Sequence, residues 1–204
     1  MNLHQSILTE KLIGVVRSND AAEARSQIKC LKEAGLRVLE ISSLNADYKK
    51  IVDWVKALDE TLVIGVATLL NQTQLAEALD SAADFFVSPV ADERMLDCAA
   101  QADCCFIPGA FSPSEIACIL NHQHNFPIIK LFPAASVAAF EGIKKVFKHP
   151  KFLLSGFDFN QLPSLIDRGA DLLAIGSYFT QDLNLTSQRV TQVKTLLKRF
   201  SVCL

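Results

Sequence analysis

Eight short apolar runs, each followed by a helix-like stretch, divide this chain into units of about 25 residues, the repeat length of a small strand–helix barrel. The runs are Leu12 to Val16, Arg37 to Ile41, Leu62 to Val66, Asp84 to Val87, Cys104 to Ile107, Ile128 to Phe132, Phe152 to Leu154 and Leu172 to Ile175. They are near-continuous Val, Ile, Leu and Phe, the pattern of strands covered on both faces. Helix signals fill the gaps between them. Asn19 or Asp20 opens a helix that Gly35 closes, and Asn71 caps another. Ser112-Pro113-Ser114-Glu115 reads as a capping box with proline at the first helical position. The sequence therefore predicts an α/β fold, a (β/α)8 barrel. An open doubly wound sheet is the alternative, but it favours fewer strands and a Gly-rich first turn, and no G-x-G-x-x-G occurs.

At 204 residues, with no Gly/Ser/Pro-rich linker and no repeat, residues 1–204 are expected to form one domain. A chain of this size buries about 70% of its extended surface, enough for a core without disulfides or a structural metal. A net charge of −2 offers no electrostatic attraction for nucleic acid or an anionic membrane. No apolar run approaches the roughly 18–20 residues of a membrane span, and Met1 to Glu10 is polar, without a secretory apolar segment. Six cysteines, Cys30, Cys98, Cys104, Cys105, Cys118 and Cys203, show no C-x-x-C spacing. They read as reduced, buried thiols of a cytoplasmic protein.

In such barrels chemistry sits at the C-terminal ends of the strands. The polar residues there are Arg17, Glu40, Thr68, Ser88, Lys130, Ser155 and Ser177, with Gly109, Gly156 and Gly176 beside some of them. Lys130 is set in Ile128-Ile129-Lys130-Leu131-Phe132 and shares a strand face with Ile128 and Phe132. An amine in such a place pairs with a carboxylate or is discharged by desolvation, and a neutral amine attacks ketones. A snorkelling lysine or a fixed ion pair is the structural alternative. Glu40, in Val38-Leu39-Glu40-Ile41, is a carboxylate among branched residues. Pointing inward, it pairs with Lys130 or moves a proton. Ser155-Gly156 and Gly176-Ser177 end the last two strands, where many barrels hold a phosphate on backbone N–H groups. Arg17 suits a carboxylate or a phosphate, or is a plain rim arginine. His122 and His124 fall in a loop, with no acidic or cysteine partner at metal-ligand spacing.

These segments, in order, resemble the 2-keto-3-deoxy-6-phosphogluconate (KDPG) and 4-hydroxy-2-oxoglutarate (KHG) aldolases. The resemblance runs from about Ile13 to Phe179. It is carried by Val15-Val16-Arg17, Gly35 through Ile41, Gly65-Val66-Ala67-Thr68, Ser88-Pro89, Ile107-Pro108-Gly109, Lys130-Leu131-Phe132-Pro133, Ser155-Gly156 and Ile175-Gly176-Ser177. It implies a class I aldolase on a (β/α)8 barrel, working as a homotrimer without metal or organic cofactor. Lys130 would form the Schiff base, with Glu40 as general acid/base. Thr68 and Ser155, with Arg17, would hold the pyruvyl carboxylate, and Gly156, Gly176 and Ser177 the distal phosphate.

Three departures set this chain apart. Ser43-Leu44-Asn45 replaces Leu-Arg-Thr, whose arginine binds carboxylate; Phe157, followed by Asp158, replaces the second glycine of Thr-Gly-Gly; and Ala135 replaces the glutamate of Phe-Pro-Ala-Glu. Val66 and Ala67 are bulkier than the family's alanine and glycine, which predicts a narrower site. The expectation is therefore intact amine chemistry and an altered phosphate end. KDPG is the first substrate expected. The alternatives are an unphosphorylated 2-keto-4-hydroxy acid such as KHG, and a degraded barrel acting as a binding protein.

Overall fold

The computed structural model describes residues 3–133, 136–176 and 187–202. In chain order the elements are α1 (Leu3–Glu10), β1 (Leu12–Val16), α2 (Ala21–Glu33), β2 (Val38–Ser42), α3 (Tyr48–Leu58), β3 (Val63–Ala67) and α4 (Gln72–Leu79). Next come β4 (Phe85–Val87), α5 (Glu93–Gln101), β5 (Phe106–Ile107), β6 (Gly109–Ala110), α6 (Pro113–Leu120), β7 (Ile128–Leu131) and α7 (Val137–Val146). The last are β8 (Lys151–Ser155), a 3-10 turn (Phe159–Gln161), α8 (Leu162–Asp167), β9 (Leu172–Ile175) and α9 (Ser187–Val202).

All the strands are parallel, in the order β5-β4-β3-β2-β1-β9-β8-β7-β6. The two ends of that order are halves of the fifth predicted run, divided at Pro108, which has no N–H to give to a ladder. One short segment thus serves both neighbours. Ile107 O accepts from Ser88 N at 3.1 Å on the β4 side, and Pro108 O accepts from Lys130 N at 2.8 Å on the β7 side. Counted this way, eight strand positions close the ring expected of a (β/α)8 barrel. Beyond this split, the strands lie within two residues of their predicted bounds; β2 and β3 are each displaced one residue toward the C-terminus.

Alternation along each strand produces two cores. Ile13, Val15, Val38, Ala67, Phe85, Val87, Ile107, Ile128, Leu153 and Leu172 fill the barrel. The intervening residues, such as Leu39, Ile41, Ile129 and Leu131, face the helices in a larger outer cluster. Helix α3 shows the fit: Ile51, Val52 and Val55 lie on one stripe and are fully buried against the sheet. Burial of each such side chain contributes about 1.5–3 kcal/mol. The predicted caps are present. The Asp20 side chain accepts from Glu23 N, Asn71 from Gln74 N, and Ser112 and Glu115 form the reciprocal box. Gly35 takes φ +98° just past α2, where a Cβ would be strained.

Helix α1 is an element that the sequence does not predict. Its Ile7, with Leu3 and Leu8, joins the inner cluster at the N-terminal ends of the strands, so α1 closes the barrel floor. The cysteines are less buried than the sequence predicts. Of the described cysteines, all free, Cys105 is buried, whereas Cys30, Cys98 and Cys104 are half-buried and Cys118 is exposed. Cys203 lies outside the described residues. Burial pushes the Cys105 thiol up to about 12.

Candidate active site

Strands β7 and β2 lie on opposite sides of the ring, and each turns one charged side chain into it. On β7, Ile128 and Lys130 face inward while Ile129 and Leu131 belong to the outer layer. On β2, Val38 and Glu40 face inward while Leu39 and Ile41 pack outward. The alternation that builds the two cores therefore also drives the two charges together, 90 residues apart in sequence. Lys130 Nζ donates to Glu40 Oε1 at 2.9 Å. Lys130 is 5% exposed and Glu40 1%. Glu40 Oε2 is buried with no hydrogen-bond partner among the described residues, and the Phe132 ring lies 6.0 Å from Nζ.

Two isolated charges would not persist in this apolar interior, because desolvation costs several kcal/mol per ion. Paired, they can exchange a proton within one hydrogen bond, leaving an amine able to attack a carbonyl and a carboxyl able to return the proton. The free oxygen of Glu40 leaves acceptor capacity for a second donor.

The strands beside the pair pack through two bare backbones. Gly65 is the register partner of Glu40, and a Cβ there would meet the Phe85 ring at 2.4 Å. Gly109 is the register partner of Lys130, and a Cβ there would lie 2.3 Å from the Pro89 carbonyl carbon.

The other predicted residues occupy the mouth. Arg17 follows β1 and is exposed; Ser155 ends β8 and is buried. Thr68 follows β3, half-buried, with φ +66°. Its hydroxyl accepts from Ser42 Oγ at 3.2 Å, and its carbonyl accepts from Ser43 Oγ at 3.0 Å. Ser42 and Ser43 were not candidates on sequence. A hydroxyl at a strand end carries little signal when its partner is 26 residues away. Ser88 is fully buried; it donates to Leu69 O at 2.6 Å and accepts from Val90 N at 3.0 Å, so both of its hydrogen-bonding roles are used within the protein.

Gly156 takes φ +93°, and Gly176 is half-buried directly after β9. Ser177 and Ala135 lie outside the described residues. The turn after β8 takes a specific form. Phe157 is not in the left-handed region, which Gly156 alone occupies at this turn, and Phe157 packs against the outer helix-facing cluster. Asp158 N donates to Gln161 Oε1 at 3.0 Å as the N-cap of the following 3-10 turn.

His122 and His124 lie in the loop before β7. The fold brings an acidic partner that spacing did not reveal: His122 Nε2 is 3.1 Å from Asp97 Oδ1. Both rings pack against Phe126. Among the described residues, no group of three or more His, Cys, Asp or Glu side chains is placed to share an ion.

A parallel barrel with a lysine–carboxylate pair in its interior, near the mouth, has the form of a carbon–carbon lyase that works through an amine. Residues 3–196 match the family model for KDPG and KHG aldolase. The KHG/KDPG aldolase of Escherichia coli (strain K12) is 30% identical over 159 residues, 74% of this chain and 72% of that protein. This chain belongs to the KDPG and KHG aldolase family, and it is an aldolase. Solved structures share the fold. The aldolase of Zymomonas mobilis ATCC 29191 has a TM-score of 0.81 at 21% identity, covering 98% of this chain and 97% of that one. The Legionella pneumophila KDPG aldolase, solved with pyruvate captured as a covalent carbinolamine, has a TM-score of 0.80 at 20% identity, covering 98% of each chain.

Proposed function

We propose that this chain cleaves KDPG to pyruvate and glyceraldehyde 3-phosphate through a Schiff base on Lys130. The observation that carries the reading is the 2.9 Å Lys130–Glu40 contact inside a largely apolar barrel core. The Lys130 amine adds to the C2 ketone, and loss of water leaves a protonated imine that accepts electrons. Glu40, directly or through water, takes the proton of the C4 hydroxyl. The C3–C4 bond breaks, its electron pair moves into the imine as an enamine, and the aldehyde departs. Protonation at C3 and hydrolysis release pyruvate and restore the amine. Thr68, Ser155 and Arg17 hold the carboxylate. Gly156, Gly176 and Ser177 hold the phosphate on backbone and hydroxyl groups. In support, Phe157 packs against the outer, helix-facing cluster. No step calls for a metal or organic cofactor.

KHG is the second reading. The Escherichia coli relative carries both substrates in its name, which supports it. Relative turnover of KDPG and KHG separates the two. The chemistry itself is tested by borohydride reduction in the presence of pyruvate, followed by intact mass and peptide mapping. A reduced pyruvyl adduct on Lys130 is expected. A folded protein with no adduct would sink the mechanism and favour a binding protein.

The same reading places the enzyme in the cytoplasm as a one-domain chain in a homotrimer. In support, loops after four consecutive strand positions each expose a large apolar side chain, Leu44, Leu70, Val90 and Phe111, forming an arc suited to contact between copies. No helix among the described residues is long and apolar enough to cross a membrane. Sedimentation of the purified protein tests the trimer.

A further inference from the structure

The geometry points to Ser42 as a positioning residue that acts through Thr68, an inference resting on the aldolase reading above. Thr68 is β-branched, yet its backbone sits at φ +66°, a region such residues rarely enter. Conformations of this kind persist where the surroundings over-determine them. Here three serines do so. Ser42 Oγ donates to Thr68 Oγ1 at 3.2 Å, and Ser43 Oγ donates to Thr68 O at 3.0 Å. Ser43 N donates to the preceding carbonyl, Ala67 O, at 2.8 Å. On the other side Ser88 Oγ donates to Leu69 O at 2.6 Å, while Leu69 N reaches Val87 O at 3.4 Å. The residues flanking Thr68 are thus tied to the ends of both neighbouring strands, β2 and β4.

In the Ser42–Thr68 bond Ser42 Oγ is the donor and Thr68 Oγ1 the acceptor. Ser42 Oγ in turn accepts from Leu44 N at 3.4 Å. Ser42 has one proton, and it goes to Thr68 Oγ1. The Thr68 hydroxyl proton is then directed elsewhere, available to a ligand at the mouth. Ser42 itself is 2% exposed and lies two residues beyond Glu40 on the same inward face of β2. Its role is to aim the Thr68 hydroxyl at the carboxylate of the keto acid whose ketone Lys130 attacks. Ser43 and Ser88 hold the backbone that makes this possible.

The test uses the full chain and pyruvate as the probe. Borohydride-trapped label on Lys130 is titrated against pyruvate concentration in wild type, Ser42→Ala, Ser42→Thr, Thr68→Val and the Ser42→Ala/Thr68→Val double variant. Ser42→Ala is expected to raise the half-labelling concentration about fivefold, the scale of one neutral hydrogen bond, with the final extent of labelling retained. Ser42→Thr keeps the hydroxyl and returns the titration toward wild type. In the Thr68→Val background, Ser42→Ala adds no further shift, because the group it acts through is gone. Ser42→Cys keeps the side-chain volume with a weaker donor, and carries the same expectation should the alanine variant not fold. A wild-type titration for Ser42→Ala, or shifts that simply add in the double variant, would overturn the role. Absence of label on Lys130 in the wild type is a different result. It would overturn the Schiff-base reading, and this role with it.

Discussion

Lysine–carboxylate pairs occur at both ends of this barrel, and they are built differently. At the floor, Lys56 pairs with Asp84, whose Oδ2 also accepts Ile64 N at 2.7 Å. Lys151 pairs with Asp171 at 2.9 Å, and the second oxygen of Asp171 accepts Phe152 N at 3.2 Å. Each of these carboxylates stands just before a strand and ties a side-chain cation to a neighbouring strand's backbone. Near the mouth, Glu40 holds Lys130 with one oxygen, and its other oxygen is buried without a partner among the described residues. A buried polar atom left unsatisfied costs about 1–3 kcal/mol, so natural proteins keep few of them. The floor pairs close on themselves and stabilise strand pairing. The interior pair keeps an open valence, as a group must if it is to bond to something that comes and goes.

The largest effect should come from breaking the interior pair at the amine. Lys130→Ala removes the nucleophile, so turnover falls to background and the pyruvyl adduct disappears from the mass spectrum. It also strands Glu40, at a stability cost of about 3–5 kcal/mol for a buried pair broken on one side. Lys130→Arg separates these consequences. The guanidinium keeps a cation beside Glu40 but cannot form the imine, so the variant should fold and remain unlabelled. A labelled, active Lys130→Arg would remove Lys130 from the mechanism.

Glu40→Gln leaves the nucleophile and removes the proton carrier. Turnover should drop about 10²–10⁴-fold, the usual scale for a general base. An unchanged rate would mean that the open oxygen of Glu40 has no part in proton transfer. The matching experiment at the floor is Lys56→Met. It should lower Tm by about 2–4 °C, if the pair is worth about 1 kcal/mol, and leave kcat/KM unchanged. Loss of activity without loss of stability there would erase the contrast between the two ends.

How much of this was legible in the sequence follows the same division. Lys130 and Glu40 stood out because each interrupts an apolar strand, and strand alternation alone places both inside. The caps at Asp20, Asn71 and Ser112 were legible because their partners lie within three residues. What stayed hidden depended on closure of the ring. Helix α1 is short and mostly polar; Leu3, Ile7 and Leu8 gain meaning only once the barrel has a floor to close. The division at Pro108 reflects a segment bonded on both sides, which no local pattern encodes. Ser42 needed Thr68 beside it, and Asp97 needed His122. At the turn after β8 the sequence shows Phe157 where the family has a second glycine, but not which residue of the turn carries the positive φ. In the structure the positive φ falls on Gly156 alone at that turn, and the Phe157 ring goes to the helix layer.

The smallest expected effect concerns the floor and its titration. His4 lies on α1, and burial, followed by the nearby His124, holds its pKa below the ordinary histidine value. The unfolded chain therefore takes up this proton more readily than the folded one. Stability from this group is fully present above the unfolded value near 6.5 and is lost as pH falls from there through the lower folded value. His4→Gln removes the titration while keeping a polar side chain of similar reach. The slope of Tm against pH between about 5 and 7 should flatten in that variant relative to wild type. An identical slope in both proteins would show that α1 is not the acid-sensitive part of the floor. Lys130 labelling by pyruvate, compared at one pH near 7.5, above the titration, should be the same in both, since nothing at the mouth has changed.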